Sequence, residues 1–443
     1  MKMYMEQYKE AMVSDLSELI KIPSVYKESD DFLFGEDIDK CLDKALEIMK
    51  NLGFLTFKAE DGAYGYAEIG EGELIAVLGH LDVVNARKKD GWNTEPFEPK
   101  QIDGILYGRG GQDDKGPIIA TAYALKSILD DGYVFKKRIR IILGLDEENL
   151  WRSIAKYKER EEKPVMGFSP DASFPLTYAE KGVLQLYIKG TEKSVLSYEG
   201  GDSFNAVSPI ASCMYDENIE NAMKQLGYNY YIQDNRIVAT GLTAHAMHPW
   251  EGENANLHLI EAIEKAGYKD NAILFINEVF QGKFRFEGFS EEDYSDFSGC
   301  ITNCFSQMKA NENGVRLSVD LRLPVSVTKE QVIELISKKA MEYHFTVEEY
   351  DWLAPIHVPK ECELIQQLMK AYQEVTGDTK TEPGVCEGAT YARAFENCVA
   401  FGACFPDTIM TEHEPNERIS IKELVKASEV YKKAFLKLAV ECQ

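Results

Sequence analysis

LIAVLGHLDVV (residues 74–84) and RIRIILGLDEE (residues 138–148) carry the reading of the fold. Each holds a short, continuous apolar run, 74–79 in the first and 141–145 in the second, and ends in polar side chains. Unbroken apolar runs of this length read as strands buried on both faces, as in parallel sheets. Between them, residues 116–129 carry a helical pattern. Strand, helix, strand at this spacing predicts a parallel or mixed sheet with helices on its faces, an α/β fold. His80 and Asp82 follow the first run, and Asp146, Glu147 and Glu148 follow the second. Open α/β sheets place their sites at the carboxyl ends of their strands, so the two patterns agree.

Outward from this unit the texture changes near residue 190. Residues 184–188 and 314–323 (GVRLSVDLRL) read as strands and 329–343 as a helix. Residues 362–375 then read as a helix, 399–404 as a short strand and 421–440 as a last helix. This predicts a catalytic α/β domain over 1–190 and 358–443, interrupted by an inserted α+β lid over 191–357. A chain of 443 residues exceeds one ordinary core, which fits two domains.

Composition narrows the partners. The hydrophobic fraction of 44% and charged fraction of 28% are those of a globular protein. A formal net charge of -25 excludes the basic surface that a nucleic-acid binder needs and disfavours anionic membranes. The nine cysteines form no CxxC pair, which argues against a disulfide framework. Cys300 and Cys304 have no histidine nearby and read as packed thiols. Residues 1–19 read as a polar, amphipathic helix without the apolar core of a signal peptide. No stretch approaches the ~20 apolar residues of a membrane helix. A soluble, cytoplasmic protein is expected.

Five segments hold residue types that do chemistry. In GHLDVV (79–84), His80 and Asp82 point the same way from a strand end, because side chains repeat every second residue. His80 could bind a metal while Asp82 fixes its ring. In GRGGQDDKG (108–116), the glycines permit a tight bend that delivers Asp113 and Asp114 to one point. The stretch lacks the GK[ST] ending of a phosphate loop, and it reads equally well as a polar turn and helix cap. Glu147 and Glu148 repel each other unless cations or protons intervene, and the same run could be a solvated acidic loop. SPDA (169–172) and TEHEPNE (411–417) add Asp171 and His413. Each segment alone is weak. Together, His80, Asp113, Glu148, Asp171 and His413 exceed what one tetrahedral ion needs. Two ions sharing Asp113 would each have three protein ligands, with room for a bridging water, and Glu147 would be the general base.

These motifs, with GLTAHAMHPWEGENA (241–255), DLRLP (320–324), GATYAR (388–393) and EHEPNE (412–417), resemble the dinuclear zinc exopeptidases that include aminoacylase, carboxypeptidase G and succinyl-diaminopimelate desuccinylase. Within that family the chain is most similar to the PepV-type dipeptidases, in motif order over the whole length. The resemblance implies that His80 and Asp171 bind one ion and Glu148 and His413 the other. Asp113 would bridge both, with a cis bond to Asp114. Asp82 would orient His80, Glu147 would act as general base, and His245 in the lid would stabilise the oxyanion. Asn205 and Arg322 would hold the substrate carboxylate, beside a substrate-lining segment at Gly388 and Thr390. His248 fits no family role and reads as surface or core, and His258, His344 and His357 carry no motif. The implied cofactor is a pair of divalent ions, zinc or its relatives manganese and cobalt. The implied reaction is hydrolysis of a dipeptide by a monomer whose long lid supplies its own His245. A deacylase of N-acyl amino acids, of the acetylornithine or succinyl-diaminopimelate type, is the alternative.

Overall fold

The computed structural model describes residues 5–440. Of the amphipathic segment expected over residues 1–19, the first four residues lie outside the described range. The rest forms a 3-10 turn, Met5–Tyr8, and a helix, Lys9–Ile20.

The chain divides into two compact units. The first comprises Met1–Ala179, His357–Val385 and Thr390–Gln443; the second comprises Glu180–Ile356 and Cys386–Ala389.

In the first unit, the sheet runs in the order Leu55–Lys58, Gly65–Ile69, Arg138–Gly144, Leu74–His80, Met166–Ser169, Cys398–Ala400 and Thr177–Glu180. The four middle strands are parallel, and their outer neighbours are antiparallel. This is the mixed α/β sheet that the two apolar runs predicted. All seven residues of Leu74–His80 are buried, as an unbroken run requires. The helix Lys115–Asp130 lies between these strands in sequence and is apolar almost all round. It is buried accordingly, covered by the helices Lys9–Ile20 and Ile421–Phe435. Lys115 is its fully buried charged residue, and its ammonium donates to the Leu19 and Ile22 carbonyls at 2.9 and 3.1 Å.

One expected element is divided. The apolar run 399–404 forms two short strands, Cys398–Ala400 and Ala403–Cys404, broken at Gly402, whose φ is +79°. A left-handed residue cannot continue a strand, and a glycine adopts that conformation at little cost. Ala403–Cys404 pairs instead with Ala172–Ser173, just after Asp171.

The second unit holds an antiparallel sheet of eight strands, in the order Tyr230–Gln233, Arg236–Thr240, Ile210–Met214, Tyr198–Gly200, Thr302–Asn311, Gly314–Leu323, Gly182–Gly190 and Thr346–Leu353. Alternation decides which face is covered: Ala211 and Cys213 are buried while Ile210 and Met214 are exposed. The covered face packs on the helices Glu217–Leu226, Ala255–Lys265, Asn271–Phe280 and Lys329–Met341, with Leu317, Val319, Phe275 and Ile276 at the centre of the core. The last of these helices starts with a capping box, in which Thr328 and Gln331 satisfy each other's backbone N–H. No helix among the described residues is long and apolar enough to cross a membrane.

Candidate metal centre

Three of the four parallel strands end in the residues that build the site. His80 closes Leu74–His80, Glu147 and Glu148 follow Arg138–Gly144, and Asp171 follows Met166–Ser169. A fourth contribution, Asp113, comes from the glycine-rich turn before Lys115–Asp130. Gly110 takes a φ of +84° there. Gly116 admits no side chain, because a Cβ would lie 2.2 Å from the Gly111 carbonyl oxygen. The turn can therefore double back against the first turn of its own helix. His413 comes from the far end of the chain, at a φ of +61°. That left-handed backbone is rare for a non-glycine residue and is maintained only where its surroundings fix it.

The ligand-type atoms form two groups. His80, Glu147 and Asp171 make one, and Asp113, Glu148 and His413 make the other, with the donor atoms of each group within 4.8 Å of one another. Asp113 faces both histidines. Its Oδ1 lies 2.9 Å from His80 Nε2, and its Oδ2 lies 3.2 Å from His413 Nε2. His413 Nε2 also lies 3.0 Å from Glu148 Oε2, and His80 Nε2 lies 3.6 Å from Asp171 Oδ2. The Asp113–Asp114 peptide bond is cis.

Backbone and carboxylate contacts aim these side chains. His80 Nδ1 donates to the backbone carbonyl of Asp82 at 3.0 Å, whereas the Asp82 carboxylate is 3.6 Å away. In the neutral ring the proton is thereby held on Nδ1 and the lone pair is left on Nε2, the tautomer a metal ligand needs. The Asp82 carboxylate instead accepts the N–H groups of Glu147 at 3.2 Å and Glu148 at 3.1 Å. It thus ties one strand end to the next. Asp114 Oδ2 accepts the His80 N–H at 3.2 Å. Asp146 is fully buried and grips Arg152 through two bonds of 2.6 and 2.7 Å, which fixes the turn carrying Glu147 and Glu148. Sequence patterns gave Asp114, Asp146 and Arg152 no role. Spacing could have raised Asp146, which sits beside the two glutamates; nothing in the sequence links it to Arg152.

The electrostatics test whether cations suit the site. Burial pushes the Glu147, Glu148 and Asp171 carboxyls up, and neighbouring carboxylates push them further. Burial alone would lower the His80 and His413 rings, but the facing carboxylates outweigh it and raise both. Burial would likewise raise Asp113, but the two histidines hold it well below the usual carboxylate range. His80 Nε2 and Asp113 Oδ1 are both buried, and although 2.9 Å apart they are not aligned for a hydrogen bond. Four converging carboxylates with two imidazoles, and unaligned donor atoms between them, form a donor set that fits divalent cations of the zinc, manganese and cobalt type.

A family model described as peptidase family M20/M25/M40 matches residues 76–437. The chain belongs to that family. The match takes in all six residues of the two ligand-type groups. A Staphylococcus aureus (strain MW2) protein named "Putative dipeptidase" is 32% identical over 470 aligned positions, covering 98% of each chain. A Staphylococcus haemolyticus (strain JCSC1435) protein of the same printed name is also 32% identical, again over 98% of each. Among solved structures, human carnosine dipeptidase 1 superposes with a TM-score of 0.62 at 17% identity, over 98% of this chain and 97% of that one. The yeast dipeptidase Dug1p from Saccharomyces cerevisiae gives 0.63 at 16% identity, over 97% of each. These two likenesses show a shared fold.

Five of the other expected site residues have separate local settings. Thr390, in the first unit, caps the short turn Tyr391–Ala394 by accepting the Ala392 N–H at 3.2 Å. In the second unit, His245 Nδ1 accepts the backbone N–H of Met247 at 3.1 Å, which places the neutral ring's proton on Nε2 as a donor. The hydroxyl of Ser203 donates to Asn205 Oδ1, and the Asn205 carbonyl accepts the Ala246 N–H at 2.8 Å. Arg322 is buried. It pairs with Asp320 at 2.7 and 3.2 Å and donates to the Glu387 carbonyl at 3.0 Å, beside Gly388. The Gly388 N–H approaches Cys386 Sγ at 3.1 Å.

Proposed function

We propose that this M20 chain is a metal-dependent dipeptidase. The observation that carries the reading is that Asp113 offers one oxygen toward each of two histidines, with a further carboxylate beside each. His80 and Asp171 would hold one divalent ion, Glu148 and His413 the other, and Asp113 both. Bound there, two such ions supply Lewis acidity to the scissile carbonyl and acidify the attacking water. Glu147 is within the same cluster and half-buried, so its carboxylate takes the water proton and returns it to the leaving amine. The water oxygen joins the carbonyl carbon, the C–N bond breaks, and a free amine and a carboxylate result. Asp82 serves as positioning residue for His80 and for both glutamates, through its carbonyl and its carboxylate.

His245 is the oxyanion donor in this reading, because its Nδ1 is already engaged and its Nε2 carries the proton. Arg322 and Asn205 grip the substrate carboxylate, and Gly388 and Thr390 line the peptide. Met1–Ala179, His357–Val385 and Thr390–Gln443 make the catalytic domain in this reading, and Glu180–Ile356 with Cys386–Ala389 makes the lid. The names of the curated relatives support dipeptides as substrates.

Purified protein, reconstituted with zinc, manganese or cobalt, should cleave members of a dipeptide panel. Acetyl- and succinyl-amino acids run beside them should turn over at least ten-fold more slowly. Faster turnover of the acylated substrates would replace the dipeptidase reading with the deacylase one, and retention of full activity after metal removal would overturn both.

A further inference from the structure

One fully buried carboxylate gathers four donors from a segment three hundred residues away. Glu417 Oε1 accepts the backbone N–H of Gln112 at 2.9 Å and of Asp113 at 3.2 Å. Its Oε2 accepts the backbone N–H of Gly110 at 3.0 Å and the Arg109 guanidinium at 2.7 Å. The Glu417 carbonyl takes a fifth donor, the Gly108 N–H, at 3.0 Å. These donors come from every residue of the glycine-rich turn from Gly108 to Asp113 except Gly111, whose N–H donates to the Gly108 carbonyl at 3.1 Å.

The acceptor stands on the segment that carries His413. Gln112 ties that segment a second time, upstream of the histidine. Its Oε1 accepts the Thr411 N–H at 2.6 Å and the Thr411 hydroxyl at 2.9 Å, and its Nε2 donates to the Ile409 carbonyl at 3.2 Å. The turn is therefore clasped on both sides of His413. The 3.2 Å separation of Asp113 Oδ2 and His413 Nε2 is a consequence of that clasp. The other ligand group is held differently: His80 by the Asp82 carbonyl and Asp114, and Glu147 by Asp82.

We propose that Glu417 is a positioning residue for the metal centre, which sets the affinity of the Asp113–Glu148–His413 group for its ion, with Arg109 as its charge partner. The inference rests on the two-ion reading given above. Geometry explains why a carboxylate is needed. Two oxygens without hydrogens can face four N–H donors, whereas an amide would turn its own NH2 toward two of them. Residues that orient metal ligands in this way typically contribute ~10–100-fold to metal affinity.

The test is a competition titration of the full-length protein with Zn²⁺ against a chromophoric chelator, on wild type and Glu417→Gln, with helix content followed by circular dichroism. Wild type should bind two ions. The variant should hold the ion at Glu148 and His413 ~10–100-fold more weakly, and the ion at His80 and Asp171, which shares only Asp113 with the clasped segments, with a clearly smaller loss, at unchanged helix content. Unchanged affinities for both ions would overturn the proposal. So would equal weakening of both, which would assign Glu417 to general stability. Fewer than two ions on wild type would overturn the two-ion reading itself and the inference with it. If Glu417→Gln does not fold, Glu417→Gln with Arg109→Met removes the charge left without a partner. The same asymmetric weakening is expected there, and symmetric or absent weakening overturns the proposal equally.

Discussion

His80 in the first unit and His245 in the second are both aimed by the main chain, and in opposite senses. His80 Nδ1 meets a carbonyl oxygen, so its Nε2 presents a lone pair. His245 Nδ1 meets an N–H, so its Nε2 presents a proton. One ring offers an acceptor, as a cation would require, and the other a donor, as an anion would require, with no difference in residue type. Their surroundings diverge in the same way. The first unit packs carboxylates around its histidines and raises them, whereas the second buries His258 against Tyr228, with ring centroids 4.0 Å apart, and burial lowers it. Acidic convergence marks the unit that carries the candidate metal centre. The other unit invests its interior in an apolar core.

The contrast breaks most directly by removing metal. Chelation should abolish turnover, and zinc should restore it. Hydrogen exchange should then rise at residues 108–113 and 411–417, while the helix Ala255–Lys265 keeps its protection. Equal loosening of both units would contradict the division of labour. Glu147→Gln should follow, lowering kcat ~10²–10⁴-fold with both ions still bound, as expected for loss of a general base. A variant that keeps wild-type kcat would remove Glu147 from the mechanism. His245→Gln should cost ~10²–10³ in kcat, as expected for one oxyanion donor, with metal content and KM little changed. A rise in KM alone would make His245 a binding residue.

The smallest effect expected is on stability. Because burial lowers His258, the unfolded ring takes up a proton near pH 6.5, before the folded ring does. The second unit should therefore lose stability as pH falls below about 6.5, and the loss should level off below the folded pKa. His258→Gln should flatten that part of the curve in denaturant titrations between pH 7 and pH 5. An unaltered slope would show that the ring is not the group responsible. In the metal-free protein His80 and His413 contribute with the opposite sign, since their raised pKa values favour the folded state at low pH.

Local pattern was enough for much of this protein. Continuous apolar runs at 74–79 and 141–145 can be satisfied only in the middle of a covered sheet, and the residue types at their ends are those of a candidate metal centre. The strand 314–323 and the helix 115–130 were legible for the same reason, since their periodicity is set by burial. Residue 402 was not legible as a break, because a single glycine in an apolar run has no period. The partners of Asp82, Asp146 and Glu417 were equally hidden. Glu417 stood in a quoted motif without a role, and its donors lie some three hundred residues upstream. Sequence by itself determined which atoms could bind metal, because that is a property of residue type and count. Only the tertiary structure decided that Asp113 faces two histidines, that the Asp82 carboxylate serves two glutamates rather than one histidine, and which nitrogen of each ring is presented. Those choices depend on hydrogen bonds between segments far apart in the chain, and no local pattern encodes them.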